Sequence, residues 1–323
     1  MILPFVPAEA SPSQKVFFVL WNGCEEACRG FSEYLKNAHE DIEIVYRDLD
    51  GQVDKIPEVV TEIKNASPDL LVTWGTLPTL KILGTGNSGF VSKYGTVPAL
   101  FMVVSQPVES GLVPSLVSQG RNITGVTHLV PLAEQLQAAR QVVAFKRLGI
   151  VYNPAETNAQ STVDQLRQYA SLMEFELLEH PLKLSANNQP SATGIAPAVA
   201  DLADKKADLI YLAPDAFMNA NRKSLIDTAM AFSIPVFSAS EGAVRHDNAL
   251  FAFVHRYYTV GQMAGKKALK ILKDKVQAYD IPIESPQRSL FVVNMTAAQK
   301  TGVYPPFSLL QNADMVNIPL SDE

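Results

Sequence analysis

The sequence predicts an α/β fold: two doubly wound parallel-sheet lobes joined by three crossings. Three observations lead there. A chain of 323 residues with 47% hydrophobic and 19% charged side chains has enough apolar material for two domain-sized cores. Short continuous apolar runs alternate with amphipathic segments of about ten to fifteen residues, the pattern of βαβ units. The alternation also occurs twice, once before and once after residue 125 or so.

In the first run, Val16–Leu20 is apolar throughout, as a strand buried on both faces must be. A helix pattern follows through Tyr34 and Leu35, and Ile42–Tyr46 reads as the next strand. Pro57–Lys64 is a helix opened by a proline in its first turn. Asp69–Thr73, a short helix over Pro78–Leu83 and a buried strand over Ala99–Val104 complete the run. The second run has strands at Leu148–Tyr152, Phe175–Leu178, Leu209–Leu212, Val236–Ser238 and Leu250–Val254. Its helices include Ala159–Leu172 and one near Ile195–Ala203. The long helix pattern Val260–Leu272 is read as a return to the first lobe, and Leu290–Val293 with Pro305-Pro306 as the path back.

Lobe 1 is therefore expected to hold residues 14–126 and 257–282, and lobe 2 residues 127–256 and 283–323. Crossings are expected near Thr124–Leu129, Val254–Tyr258 and Asp280–Ser285. Residues 1–13 read as a signal-peptide remnant or a disordered N-terminus, since Ala8-Glu9-Ala10 has the small-x-small spacing of a signal-peptidase site. The expected location is periplasmic or extracytoplasmic.

A formal charge of −6 argues against nucleic acid as a partner, because phosphate neutralisation needs a basic face. The densest basic cluster, Lys266, Lys267, Lys270, Lys273 and Lys275, reads as solvated lysines on one helix. No apolar run has the length of a membrane span. Catalytic motifs of the GxSxG, HExxH and phosphate-loop kinds are absent from the sequence. Gly84–Gly89 has the form GxGxxG but follows a helix, so its first glycine reads as a helix cap. The five histidines, His39, His128, His180, His246 and His255, are scattered, so neither a metal nor a cofactor is expected. Cys24 and Cys28 stand open between a disulfide and two free thiols.

In open parallel sheets a ligand sits outside the carboxyl ends of the strands. After the first strand come Trp21 and Asn22, a stacking surface and a donor–acceptor pair. Trp74, Gly75 and Thr76 follow the third, where the glycine admits close backbone approach. Ser105 and Gln106 follow the fourth. In the second run, Asn153, Glu156, Thr157 and Asn158 lead into a helix, with Thr157 or Asn158 as its cap and the helix start as an anion site. Asp215 and Phe217 follow one later strand and Glu241 another, and the two acids are placed to hold an ammonium group across the cleft. His128 and Tyr257 lie at the first two crossings.

Several motifs, in order, resemble one known family. They are Arg121–Thr127, Arg147–Asn158, Gln106-Pro107 with Gly111-Leu112-Val113, Pro214-Asp215, Tyr257–Gln262 and Val292–Ala298. The chain is similar, from about Lys15 to about Asp314, to substrate-binding proteins of an ABC importer family that includes aromatic-amino-acid binders. The resemblance implies a type I periplasmic-binding-protein fold, no enzyme activity, and a ligand carboxylate bound at the Asn153–Asn158 turn. Two departures stand out: Ser105-Gln106-Pro107 where the family has Thr-Asp-Pro, and Asn158-Ala159 where it has Asn-Ser.

The expected function is the solute-binding component of an importer, a monomer closing by hinge bending on a small polar, amino-acid-like or aromatic ligand. Its partners are then that small-molecule solute and an ABC permease in the membrane. The alternative is a ligand-sensing module that reports to a signalling partner.

Overall fold

A computed structural model describes residues 14–38, 41–86, 97–117 and 121–318. The proposed signal remnant and Asn87–Gly89 of the GxGxxG run lie outside the described residues.

The first lobe contains β1 (Gln14–Leu20), α1 (Glu26–Asn37), β2 (Ile42–Asp48), α2 (Ile56–Ala66), β3 (Leu70–Trp74), α3 (Thr76–Leu83), β4 (Ala99–Met102) and β5 (Ile123–Val126). Its five strands lie in the order β2-β1-β3-β4-β5, all parallel. β3 is buried at every position, as a central strand of a covered parallel sheet is. β4 ends at Met102, two residues before the predicted end, because Val103 turns into the left-handed region at φ 55°.

The second lobe runs through α4 (Leu132–Val142), β6 (Arg147–Tyr152), α5 (Thr157–Leu172), β7 (Glu176–Pro181), α6 (Ile195–Asp204), β8 (Leu209–Leu212), α7 (Ala216–Ala220), α8 (Arg222–Ala231), β9 (Val236–Ser238), α9 (Glu241–His246) and β10 (Phe251–His255). α10 (Tyr257–Leu272) then crosses to the first lobe, and β11 (Ser289–Asn294), α11 (Met295–Thr301), α12 (Phe307–Leu310) and β12 (Asp314–Val316) return. The sheet order is β12-β11-β10-β9-β8-β6-β7, with β10 and β11 antiparallel. Its β7-β6-β8-β9-β10 portion repeats the order of the first lobe. Each lobe therefore has one topological switch point, between β1 and β3 and between β6 and β8.

Burial follows from these orders. One core joins the first sheet to Val260, Ala264, Ala268 and Leu272 of α10. The second sheet buries both faces. Leu148, Ile150 and Tyr211 point to one side, and Val151, Ile210 and Leu212 to the other, as the two-residue repeat of a strand requires. Tyr211, Phe237 and Phe251 stack through that sheet's core at centroid distances of 5.2 and 4.8 Å.

α10 docks on α1 at backbone contact distance. A Cβ on Gly30 would stand 2.2 Å from the Tyr258 carbonyl oxygen, and one on Gly261 2.0 Å from that of Ala27. Both positions are glycine because nothing larger fits.

The Arg121–Thr127 motif is scaffold. The Arg121 guanidinium donates to the carbonyls of Leu83, Gly84 and Leu112, and Gly84 caps α3 at φ 74°. Asn122 Oδ1 accepts from Ala278 N at 3.1 Å, and Thr124 Oγ1 donates to Ile281 O at 2.8 Å. Thr127 N donates to Glu284 O at 2.9 Å, so the first and third crossings lie side by side. Lys267 corrects the expectation of solvated lysines. It is 4% exposed, and its ammonium donates to Pro282 O and pairs with Glu284 at 2.6 Å. A buried charge persists only with such partners.

Candidate functional site

The two switch points face each other across a cavity of about 80 Å³. The first lobe supplies Trp21, Asn22 and Glu25 after β1, Trp74, Gly75 and Thr76 after β3, and Val103 and Ser105 after β4. The second supplies Asn158 at the start of α5, Pro214, Asp215 and Ala216 after β8, Asn219 and Arg222 beyond, and Ala239 and Ser240 after β9. His128 and Tyr257 come from the first and second crossings, their rings edge to face at 5.4 Å. All 2 tryptophans of the chain are in this lining.

Two polar contacts among the described residues join the lobes beside the cavity, where Ala216 and Ala220 also pack on the first core. Trp21 Nε1 donates to Ala216 O at 3.0 Å. Arg222 pairs with Glu25 of the opposite lobe at 2.6 Å and with Asp247 of its own at 2.6 Å. Glu25 sits between Cys24 and Cys28, which form a disulfide with Cα atoms 5.2 Å apart. The bond ties the exposed loop after β1 to the buried first turn of α1, which settles the question the spacing left open.

Ten of the residues picked from sequence line the cavity: Trp21, Asn22, Trp74, Gly75, Thr76, Ser105, His128, Asn158, Asp215 and Tyr257. Six do not, each for a local reason. Gln106 lines a separate cavity with Leu129 and Val130, its backbone left-handed at φ 48°. Asn153 is buried, giving its N–H to Asp215 and its side-chain amide to Glu156. Glu156 is the N-cap residue of α5 in place of Thr157 or Asn158. Its carboxylate turns away to accept from Ala216 N at 2.8 Å and Phe217 N at 3.0 Å. The amides that open α7 are thus held by the chain's own acid. Phe217 packs its side chain on the core, and Thr157 is exposed on the first turn of α5. Glu241 is 1% exposed and accepts from Tyr257 N and from Arg245 at 2.9 Å.

The expected ammonium clamp of Asp215 and Glu241 is therefore absent. Both acids belong to the second lobe, and only Asp215 reaches the cavity. Burial and the neighbouring Glu156 carboxyl push Asp215 well above the usual carboxylate range, although Asn153 N and Met218 N both donate to it. His128 is driven the other way. Burial, aided by the charge of His255, lowers it to about 3, so its ring is neutral at physiological pH.

Sequence reasoning left Glu25, Val103, Asn219 and Arg222 unassigned. Asn219 and Arg222 lie a full helical turn or more past β8, beyond the strand-end rule, whereas Ser240 fell within it. Among the described residues no helix is long and apolar enough to cross a membrane, and no group of three or more acidic, histidine or cysteine side chains is arranged to hold a metal.

The sequence profile of the family described as ABC transporter substrate binding protein matches residues 16–317. A tyrosine-binding protein of Clostridioides difficile is 27% identical over 199 residues, 61% of this chain and 55% of that protein. This chain thus spans about half the length of that curated relative. A conserved domain protein of Vibrio cholerae has the same fold at TM-score 0.82 and 24% identity, covering 94% of this chain and 100% of that one. A domain from Streptococcus pneumoniae in complex with L-Trp matches at TM-score 0.78 and 20% identity, over 93% and 99% of the two chains. A ligand-free, open substrate-binding protein with adhesive properties from Clostridium difficile gives TM-score 0.65 and 21% identity, over 95% and 100%. With the family match running almost end to end, the chain belongs to the ABC transporter substrate-binding protein family, whose members bind solutes without transforming them.

Proposed function

We propose that this protein is the extracytoplasmic receptor of an ABC importer, closing its two lobes on an aromatic amino acid and presenting the closed form to a membrane permease. The observation that carries the reading is the placement of Trp21 and Trp74, each at the end of a strand flanking the first lobe's switch point, in one cavity shared with the second lobe. Two indoles offer broad faces to a flat ring. Glu25, Asp215 and Arg222, with Asn158, Asn219 and Ser240, supply polar groups for a zwitterionic head.

Closure is supported by the two inter-lobe contacts, Trp21 to Ala216 and Glu25 to Arg222, which exist only with the lobes together. A relative named for tyrosine and a structural neighbour in complex with L-Trp support the ligand class.

A thermal-shift panel of amino acids, sugars, nucleosides and organic acids tests this. A ligand at a hundred times its Kd stabilises the folded state by about 2.7 kcal/mol. The reading expects a selective upward shift with aromatic amino acids, lost in Trp74→Ala. A shift confined to sugars or nucleosides would overturn it.

A further inference from the structure

Among the described residues, four buried side-chain atoms lack a hydrogen-bond partner: Gln106 Oε1, Ser110 Oγ, His128 Nδ1 and Arg147 Nε. Of these residues only His128 lines the cavity between the lobes. It is 4% exposed and held edge-on by Tyr257. A buried nitrogen with no partner is costly, so a native structure retains one only where something else completes it.

The identity of that partner follows from what surrounds the ring. The charged groups of the lining are engaged elsewhere: Glu25 with Arg222, Arg222 also with Asp247, and Asp215 with the amides of Asn153 and Met218. None of these groups is hydrogen-bonded to His128 Nδ1. With the zwitterionic head placed at the polar groups of the lining, Asn158, Asn219 and Ser240 among them, the solute's side chain is left for His128. The unprotonated nitrogen of a neutral imidazole accepts a polar hydrogen and has nothing to offer a carboxylate.

We propose that His128 is the specificity-determining residue of the cleft, its Nδ1 accepting the polar hydrogen of the solute's ring, so that phenol- and indole-bearing amino acids are bound in preference to a bare phenyl ring. The inference rests on the aromatic-amino-acid reading above. Nδ1 must be unprotonated, with the proton on Nε2, because an indole N–H can only donate. A solute lacking the group leaves the nitrogen orphaned inside the closed cleft. Sites built to bond a substrate hydroxyl or N–H reject analogues without it far more strongly than pockets that merely measure size.

Calorimetric titration of the full chain with L-tyrosine, L-phenylalanine, L-tryptophan and 1-methyl-L-tryptophan provides the test, on the native protein and on His128→Leu. The native protein should bind tyrosine over phenylalanine, and tryptophan over its methylated analogue, by about tenfold or more. In His128→Leu the two members of each pair should approach parity while the unliganded melting temperature holds or rises. His128→Asn, whose amide nitrogen or oxygen falls near the position of Nδ1, should restore part of the preference. If His128→Leu does not fold, His128→Phe carries the same comparison. Discrimination that persists in the leucine variant, or is missing in the native protein, overturns the role of His128 and leaves the ligand class intact. Failure of the native protein to bind all four compounds rejects the ligand class itself, and this inference with it.

Discussion

Burial acts in opposite directions on two residues of the cavity lining. It holds the His128 imidazole neutral and the Asp215 carboxyl above its usual range, the latter with help from Glu156. For His128 the folded pKa of about 3 lies below the ordinary 6.5, so the unfolded chain takes up the proton first as pH falls. Its contribution to stability is complete above pH 6.5 and is lost towards pH 3, by at most about 1.4 kcal/mol per unit. Asp215 behaves in reverse: what it contributes is present below the ordinary carboxylate pKa and is lost as pH rises through its elevated folded value. Taking the unliganded protein from pH 7 to pH 5 should therefore lower the melting temperature of the native protein more, or raise it less, than that of His128→Leu, in which only the opposing Asp215 effect remains. Equal shifts in the two proteins would mean that His128 contributes nothing to this dependence. At this scale the sequence was legible where chemistry and position coincide. Trp21, Trp74, Gly75 and Thr76 stand at or just after strand ends and line the cavity. Glu156 and Glu241 also sit near strand ends, yet they satisfy the chain's own amides. A carboxylate that caps a neighbouring element and one that meets a ligand look alike in a sequence, because the deciding partner is far away in the chain.

Elements were more legible than sites, because apolar period and length distinguish buried strands from amphipathic helices without tertiary information. The misplaced ends have local causes: Val103 leaves the strand through a left-handed turn, and α5 begins at Thr157, two residues early, because Glu156 stands at its cap position. Tertiary partners hid the rest. Lys267 lies in a lysine-rich stretch of α10 but faces the third crossing, where Pro282 O and Glu284 hold it. The glycines at the α1–α10 contact gave no signal either, since their role depends on a helix 230 or so positions away. That contact fixes the second crossing to the first lobe, and its tolerance is small. Gly261→Ala would push a methyl group against the Ala27 carbonyl and the Phe31 amide. Backbone atoms cannot swing aside as side chains do, so a loss of about 1–3 kcal/mol is expected in denaturant unfolding. An unchanged midpoint would show the helices free to move apart at no cost. Solute affinity should change less than stability, since Gly261 is not in the cavity lining.

The whole molecule is two sheets that share a five-strand order, extended by β11 and β12 in the second, facing each other at their switch points and joined by three connections. On the proposed closure, the lobes move as bodies while each core stays packed, and a solute shifts the open–closed balance by its differential affinity alone. The Glu25–Arg222 pair would then contribute to affinity without belonging to either core. Glu25→Gln keeps the loop's shape and its disulfide but weakens the pairing with Arg222, which is worth about 1 kcal/mol for a half-buried charged pair. The solute's Kd should rise about fivefold, read by calorimetry, with the unliganded melting temperature little changed. An unaltered Kd would place the pair outside the closure. The central claim, that this cleft receives an aromatic amino acid, is tested most directly by titrating the protein's tryptophan emission with L-tyrosine, excited at the red edge where tyrosine does not absorb. Because Trp21 and Trp74 are the chain's 2 tryptophans and both line the cavity, the emission reports on that site. The account predicts a saturable change at one tyrosine per chain, and emission that stays flat up to millimolar tyrosine and phenylalanine would contradict it.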